Sequence, residues 1–207
     1  MRKAMSKVLV SVRRSGPPGV LAALLALMLA ACGAAAQRPE ALALAPAVDA
    51  QKLGGQWYVV AHVPYAEERD QPDSSIELRP REDGGYDEIY RYFDSGLMQS
   101  VARQRARYEA VAGSNNTRWI ERSRALDSHM ELGVLYVDPA YRYAVVGEAQ
   151  RRLGWIYARD PGVDAGTYAS LVARLDQQGY DTSRLHRLGH SQVLIGQPSF
   201  TVPGGAP

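Results

Sequence analysis

From residue 56 onward, apolar residues gather in short β-type runs set apart by polar turn residues, the pattern of successive strands. Such runs lie at 56–63, 74–79, 86–93, 100–110, 117–122, 130–137, 143–147 and 153–158. Turn residues separate them. Asp83-Gly84-Gly85 joins the second and third runs and is a strong hairpin signal, and Ser114-Asn115-Asn116 and Asp138-Pro139 punctuate the later ones. Eight short runs with short links predict an antiparallel sandwich or barrel. One segment departs from the pattern. Tyr168, Leu171, Val172 and Leu175 fall at i, i+3, i+4 and i+7, a single helical stripe. Asp164 stands at the N-cap and Gly179 at C′, so one helix over 164–178 packs its stripe on the sheet. Asp49 caps a short helical turn through Leu53, and a strand near 184–188 returns to an edge.

The 100–110 run carries facing information. Arg103, Arg105 and Arg107 share one side; Gln104, Ala106 and Tyr108 share the other. Three charges do not face an apolar interior without partners, so the arginine side is expected to face water. Ala106 and Tyr108 then face in, and a residue as small as Ala106 leaves room for a guest. In the third run Tyr86, Glu88, Tyr90 and Tyr92 share one alternation and Ile89, Arg91 and Phe93 the other. A slip of one residue exchanges these faces, and the pattern leaves both registers open. Glu67, Glu68 and Asp70 gather beside Arg69 in the first long loop and read as a solvated rim.

The N-terminal region is of another kind. Arg2, Lys3, Lys7, Arg13 and Arg14 precede an unbroken apolar run from Val20 to Ala31, and residues 1–31 hold no acid. Those twelve residues fall short of the roughly twenty that span a bilayer. A basic head, a short apolar run and small residues at its end describe a secretion signal. Leu29-Ala30-Ala31-Cys32 resembles the bacterial lipobox, in which the cysteine becomes the first mature residue and its sulfur is acylated. Cys32 is the chain's one cysteine. Lone cysteines are commonly small buried hydrophobes, but this one stands ahead of the fold. Gly33, rather than aspartate, follows it, which points to the outer membrane and the periplasmic face. The expected organisation is a signal peptide at 1–31, a lipidated Ala- and Pro-rich tether at 32–47, a folded domain at 48–190 and a Pro/Gly-rich tail at 191–207.

Processing changes the charge account. The whole chain is +2, but without the five basic residues of the signal, 19 basic residues face 22 acidic ones, a balance of −3. Such a domain has no reason to seek nucleic acid. With Cys32 acylated, no thiol remains for a disulfide, and packing alone must hold the fold. Twelve tyrosines against two phenylalanines suit half-wet cavities, since each ring carries a hydroxyl that wants a partner. No residue pattern announces a cofactor, a metal site or a catalytic residue. His186 and His190 are four apart, but Gly189 intervenes and the region reads as strand or coil.

Three motifs, taken in order, resemble the lipocalin family, and particularly its bacterial members. Gly55 and Trp57 open the first strand as Gly-x-Trp. Asp138 and Tyr141 mark the turn between the sixth and seventh strands. Arg159 ends the eighth, and the helix follows. The resemblance covers roughly 48–190 and implies an eight-stranded up-and-down barrel, all-β with one C-terminal helix packed outside. It implies that Arg159 stacks across Trp57 at the barrel floor. It implies Glu88 and Tyr90 facing inward, so Glu88, Tyr90, Ala106, Tyr108 and Tyr136 are the candidate lining residues. It further implies a non-enzymatic protein binding a fatty acid such as palmitate, or a lysophospholipid-like molecule, for storage, transport or envelope maintenance. A lipocalin-fold enzyme on a lipid-like or isoprenoid substrate is the alternative, and an inward Glu88 with a raised pKa would favour it. A homodimer stays open.

Overall fold

The computed structural model describes residues 41–64, 68, 71, 73–94, 96–123, 129–190 and 200–201. Cys32, the signal and most of the expected tail lie outside them. The eight expected strands form: β1 (Gly55–His62), β2 (Ser75–Pro80), β3 (Tyr86–Asp94), β4 (Gln99–Ala110), β5 (Arg118–Ser123), β6 (His129–Val137), β7 (Tyr143–Glu148) and β8 (Gly154–Ala158). Each pairs antiparallel with the next, and β1 pairs with β8, so the sheet closes on itself. Closure removes the open edges that would otherwise invite other chains. Two short strands, β9 (His186–Gly189) and β10 (Phe200–Thr201), extend the sheet from β1.

Local chemistry explains the corners. At the β2–β3 hairpin, Gly84 has φ +83°, and a Cβ on Gly85 would meet the Tyr108 carbonyl oxygen at 2.1 Å. Only glycine allows that approach. At the β6–β7 corner, the buried Asp138 carboxylate accepts from the backbone N–H groups of Ala140, Arg142 and Tyr143. A short helix, α1 (Ala50–Leu53), is capped by Asp49, whose Oδ1 accepts from Gln51 and Lys52. The longer helix, α2 (Ala165–Asp176), is capped by Asp164 and buries Leu171 and Leu175.

Two apolar clusters follow from this arrangement. One fills the barrel, with every one of the eight strands contributing, from Trp57 and Val59 of β1 to Trp155 and Tyr157 of β8. The other lies outside, between α2 and the wall, around Val145, Ile156 and Leu175.

Three strands carry a one-residue irregularity, and each reverses the alternation of side chains. On β1 the register shifts between Val59 and Ala61, so Val60 and Ala61 both join the outer cluster. On β4, Glu88 pairs with Ala106 while Ile89 pairs with Gln104, so Arg105 is the extra residue. On β6 the shift falls between Val134 and Tyr136.

These bulges correct two expectations. Arg105 does not face water with Arg103 and Arg107; it is buried beside Ala106. Tyr136 does not line the barrel; the β6 bulge turns it outward, where it packs in the outer cluster with the Arg174 guanidinium 4.4 Å from its ring centroid. The expected tether also differs over its described part. Leu42 and Leu44 pack on the outer cluster, Ala45 N–H donates to the Val134 carbonyl at 2.9 Å, and Val48 N–H donates to Asn115 at 3.0 Å. Apolar side chains and backbone pairing hold 42–48 to the wall, which the Ala/Pro composition concealed.

Candidate functional site

The barrel floor is closed by one stack. The Arg159 guanidinium lies 3.7 Å from the centroid of Trp57. Its nitrogens donate to the carbonyls of Gln56 at 2.6 Å, Lys52 at 2.7 Å and Gly54 at 2.7 Å, and to Tyr141 at 3.3 Å. Trp57 in turn donates Nε1–H to Leu53 at 2.7 Å. Gly55 sits at φ +89°, and any Cβ there would lie 3.3 Å from the arginine. Tyr141, also at positive φ, accepts from the Asp49 N–H at 2.9 Å. Four of the five signature positions, Gly55, Trp57, Tyr141 and Arg159, thus meet at one end, and Asp138 shapes the corner carrying Tyr141. A cation over a desolvated indole gains about 0.5–2 kcal/mol.

Above the floor, Tyr86, Glu88 and Tyr90 of β3 all point inward and are fully buried, which settles the register that the pattern left open. Four of the five lining candidates, Glu88, Tyr90, Ala106 and Tyr108, are therefore together inside the barrel. Glu88 accepts from Arg105 Nε at 2.5 Å and from the Tyr108 hydroxyl at 2.5 Å. The Arg105 guanidinium lies 4.1 Å from the Tyr90 centroid, and the Tyr90 hydroxyl meets Ser74 Oγ at 2.8 Å.

The centre of this network was not foreseen. Glu68 is not on a solvated rim; it is buried, and its carboxylate is bound by Arg105, by His62 Nδ1 at 2.6 Å and by Trp155 Nε1 at 3.1 Å. Burial raises the Glu68 pKa, but the Arg105 charge and the His62 hydrogen bond outweigh it and bring the group down to about 2. Burial raises the Tyr90 and Tyr108 hydroxyls, keeping them protonated. Glu67 and Asp70 lie outside the described residues. His62 was missed because the β1 bulge turns it inward. A signal was nevertheless present: three arginines on a strand beside an acidic loop can be read as one buried pair rather than two wet surfaces.

Between the floor and the Glu88–Tyr108 pair, Trp57, Ile76, Leu132 and Val146 border a cavity of about 20 Å³. That holds about one water-sized molecule. Ala106 does not open the space expected of it, because Arg105 and the aromatic rings fill the section. A larger groove of about 880 Å³ lies outside, between α2 and β9, bordered by Val163, Tyr168 and Leu188. Nearby, Asp73 is buried at φ +66°, and its carboxylate oxygens take no hydrogen bond among the described residues; His190 Nδ1 is 3.9 Å away.

Comparison with known proteins places this geometry. The family model of the lipocalin-like domain matches residues 48–190. The chain belongs to the lipocalin-like family. Lipocalins are in general binding proteins for hydrophobic ligands rather than enzymes. Temperature-induced lipocalin-1 of Arabidopsis thaliana is 38% identical over 60 residues, 29% of this chain and 32% of that protein. The outer membrane lipoprotein Blc of Escherichia coli (strain K12) is 25% identical over 169 residues, 81% of this chain and 93% of that one. Among solved structures, lobster apocrustacyanin A1 superposes with a TM-score of 0.56 at 11% identity, over 76% of this chain and 94% of that chain, a likeness of fold. This lipocalin is thus similar to the bacterial Blc proteins along most of its length, at modest identity.

Proposed function

We propose that this lipocalin is exported, acylated on Cys32 and held at the outer membrane facing the periplasm. There its barrel binds a single-chain amphipathic lipid, a fatty acid or lysophospholipid, for storage, transport or envelope maintenance. The observation that carries the reading is a family match at 48–190 standing behind a lipobox-like Leu29-Ala30-Ala31-Cys32. The names of the Blc relatives, outer membrane lipoproteins, support it. A barrel closed at its floor by the Arg159–Trp57 stack, with apolar side chains from every strand, supports it as well, since each buried methylene of an acyl chain contributes about 0.8 kcal/mol.

The enzyme alternative gains less support. Both Glu88 oxygens are engaged, by Arg105 and by Tyr108, which suits a structural role more than proton transfer to a substrate. The test is to purify the full-length protein from its native membrane and identify extracted molecules by mass spectrometry. One single-chain lipid per barrel and a diacylglyceryl mass on Cys32 are expected. Protein that carries no lipid and binds none offered to it would overturn the reading.

A further inference from the structure

The connection between β1 and β2 places one carboxylate where the head of a guest would sit. Three wall groups converge on Glu68: His62 from β1 at 2.6 Å, Trp155 from β8 at 3.1 and 3.3 Å, and Arg105 from β4. The side chains of Glu68, His62 and Arg105 are 1%, 4% and 5% exposed. Glu88 grips Arg105 through Nε, so the guanidinium is fixed from behind whatever stands in front of it. The donors all come from barrel strands, whereas the acceptor comes from a connecting segment. The receptor therefore does not depend on Glu68 for its shape. The β4 bulge is what aims Arg105 inward, and bulges are common where a side chain must be re-aimed at a site.

We propose that His62, Arg105 and Trp155 form a subsite for the carboxylate of a monoacyl ligand, and that Glu68 occupies it as an internal stand-in. The inference rests on the lipid-binding function above and sets the ligand's direction. The head lies inside and the tail runs toward the mouth. Below the network about 20 Å³ is left, too little for a chain. Above it, β3 climbs from Tyr86, tied to Ala50 at the floor, through Tyr90 and Tyr92 to Asp94. The turn beyond exposes Leu97 and Met98, 61% and 74% accessible, at the rim a tail would cross. The exchange conserves charge, since one carboxylate replaces another against the same cation. A neutral head has no such replacement to make, and a guest must first win the place from Glu68.

The test compares dodecanoate with methyl dodecanoate, which has the same chain and no charge. Binding is measured by calorimetry on the full protein and on Glu68→Ala. Removing an internal competitor should tighten dodecanoate about tenfold or more and leave the ester nearly unchanged. In parallel, the Trp155 indole N–H resonance should move in Glu68→Ala and return on adding dodecanoate, but not the ester. Arg105→Met should erase the preference for the acid; if that variant does not fold, the indole signal in Glu68→Ala decides. Equal tightening of acid and ester, or an indole signal indifferent to dodecanoate, would overturn the subsite and leave lipid binding intact. A protein that takes lysophosphatidylethanolamine but never dodecanoate would do the same. Failure to bind any of the three would overturn both.

Discussion

The barrel contains two arginines laid against aromatic rings, and they differ in what else they touch. Arg159 at the floor covers Trp57 at 3.7 Å and gives its hydrogen bonds to backbone carbonyls. Arg105 in the middle covers Tyr90 at 4.1 Å and gives its bonds to the carboxylates of Glu68 and Glu88. A guanidinium on carbonyls ties loops together and has nothing to exchange. A guanidinium on carboxylates holds partners that another anion can replace. The same pairing of residue types therefore makes a plug in one place and a receptor in the other.

That contrast can be broken from either side. The largest effects come from removing its anchors. Trp57→Ala should cost about 3–5 kcal/mol in thermal or denaturant unfolding and weaken lipid binding only through that loss. A variant of full stability would contradict the floor plug. Arg105→Leu should cost a similar 3–5 kcal/mol, because it strands two buried carboxylates. Acid should separate the regions. The folded-state pKa of Glu68, about 2, lies below its usual 4.5, so its contribution is complete above about pH 4.5 and is lost as pH falls toward 2. The loss is roughly 3 kcal/mol. Glu68→Gln should flatten this part of the stability profile, while Arg159→Lys should leave it unchanged.

Smaller effects sharpen the boundary of the site. Asp73 has its pKa raised by burial from 3.8 to about 8, so its ionised form is disfavoured in the fold; stability is complete below the ordinary value and falls as pH rises from there to about 8. Asp73→Asn tolerates the same positive φ and should stabilise by about 1 kcal/mol at pH 9, with no gain at pH 4. Tyr90→Phe loses its bond to Ser74 and should cost about 1 kcal/mol. Tyr136→Ala should destabilise through the outer cluster yet leave affinity for dodecanoate unchanged. A loss of affinity there would return Tyr136 to the lumen.

The floor was legible because its residues recur in a fixed motif and each does one thing. Gly55, Trp57 and Arg159 name their own geometry, and the strand runs are set apart by plain turn signals. The middle was half legible. Glu88, Tyr90, Ala106 and Tyr108 sit on stretches that keep period two. His62, Arg105 and Tyr136 lie at or just beyond bulges, where one extra residue reverses every later side chain, and nothing in the local pattern announces the insertion. Glu68 was hidden for another reason. A carboxylate in a charged loop looks solvated until its buried cation is known, and that cation had itself been assigned to water. Two wrong facings supported each other, and one ion pair replaces both.

The central claim is that a lipid's carboxylate stands inside the barrel against Arg105. The most direct measurement is the ¹³C signal of carboxyl-labelled dodecanoate bound to the protein, followed with pH. A carboxylate held by Arg105, His62 and Trp155 stays ionised well below the ordinary range of roughly 4–5. Its shift is predicted to remain constant through that interval while the complex persists. A bound signal that titrates at or above the ordinary value would put the head at the wet mouth and contradict the account.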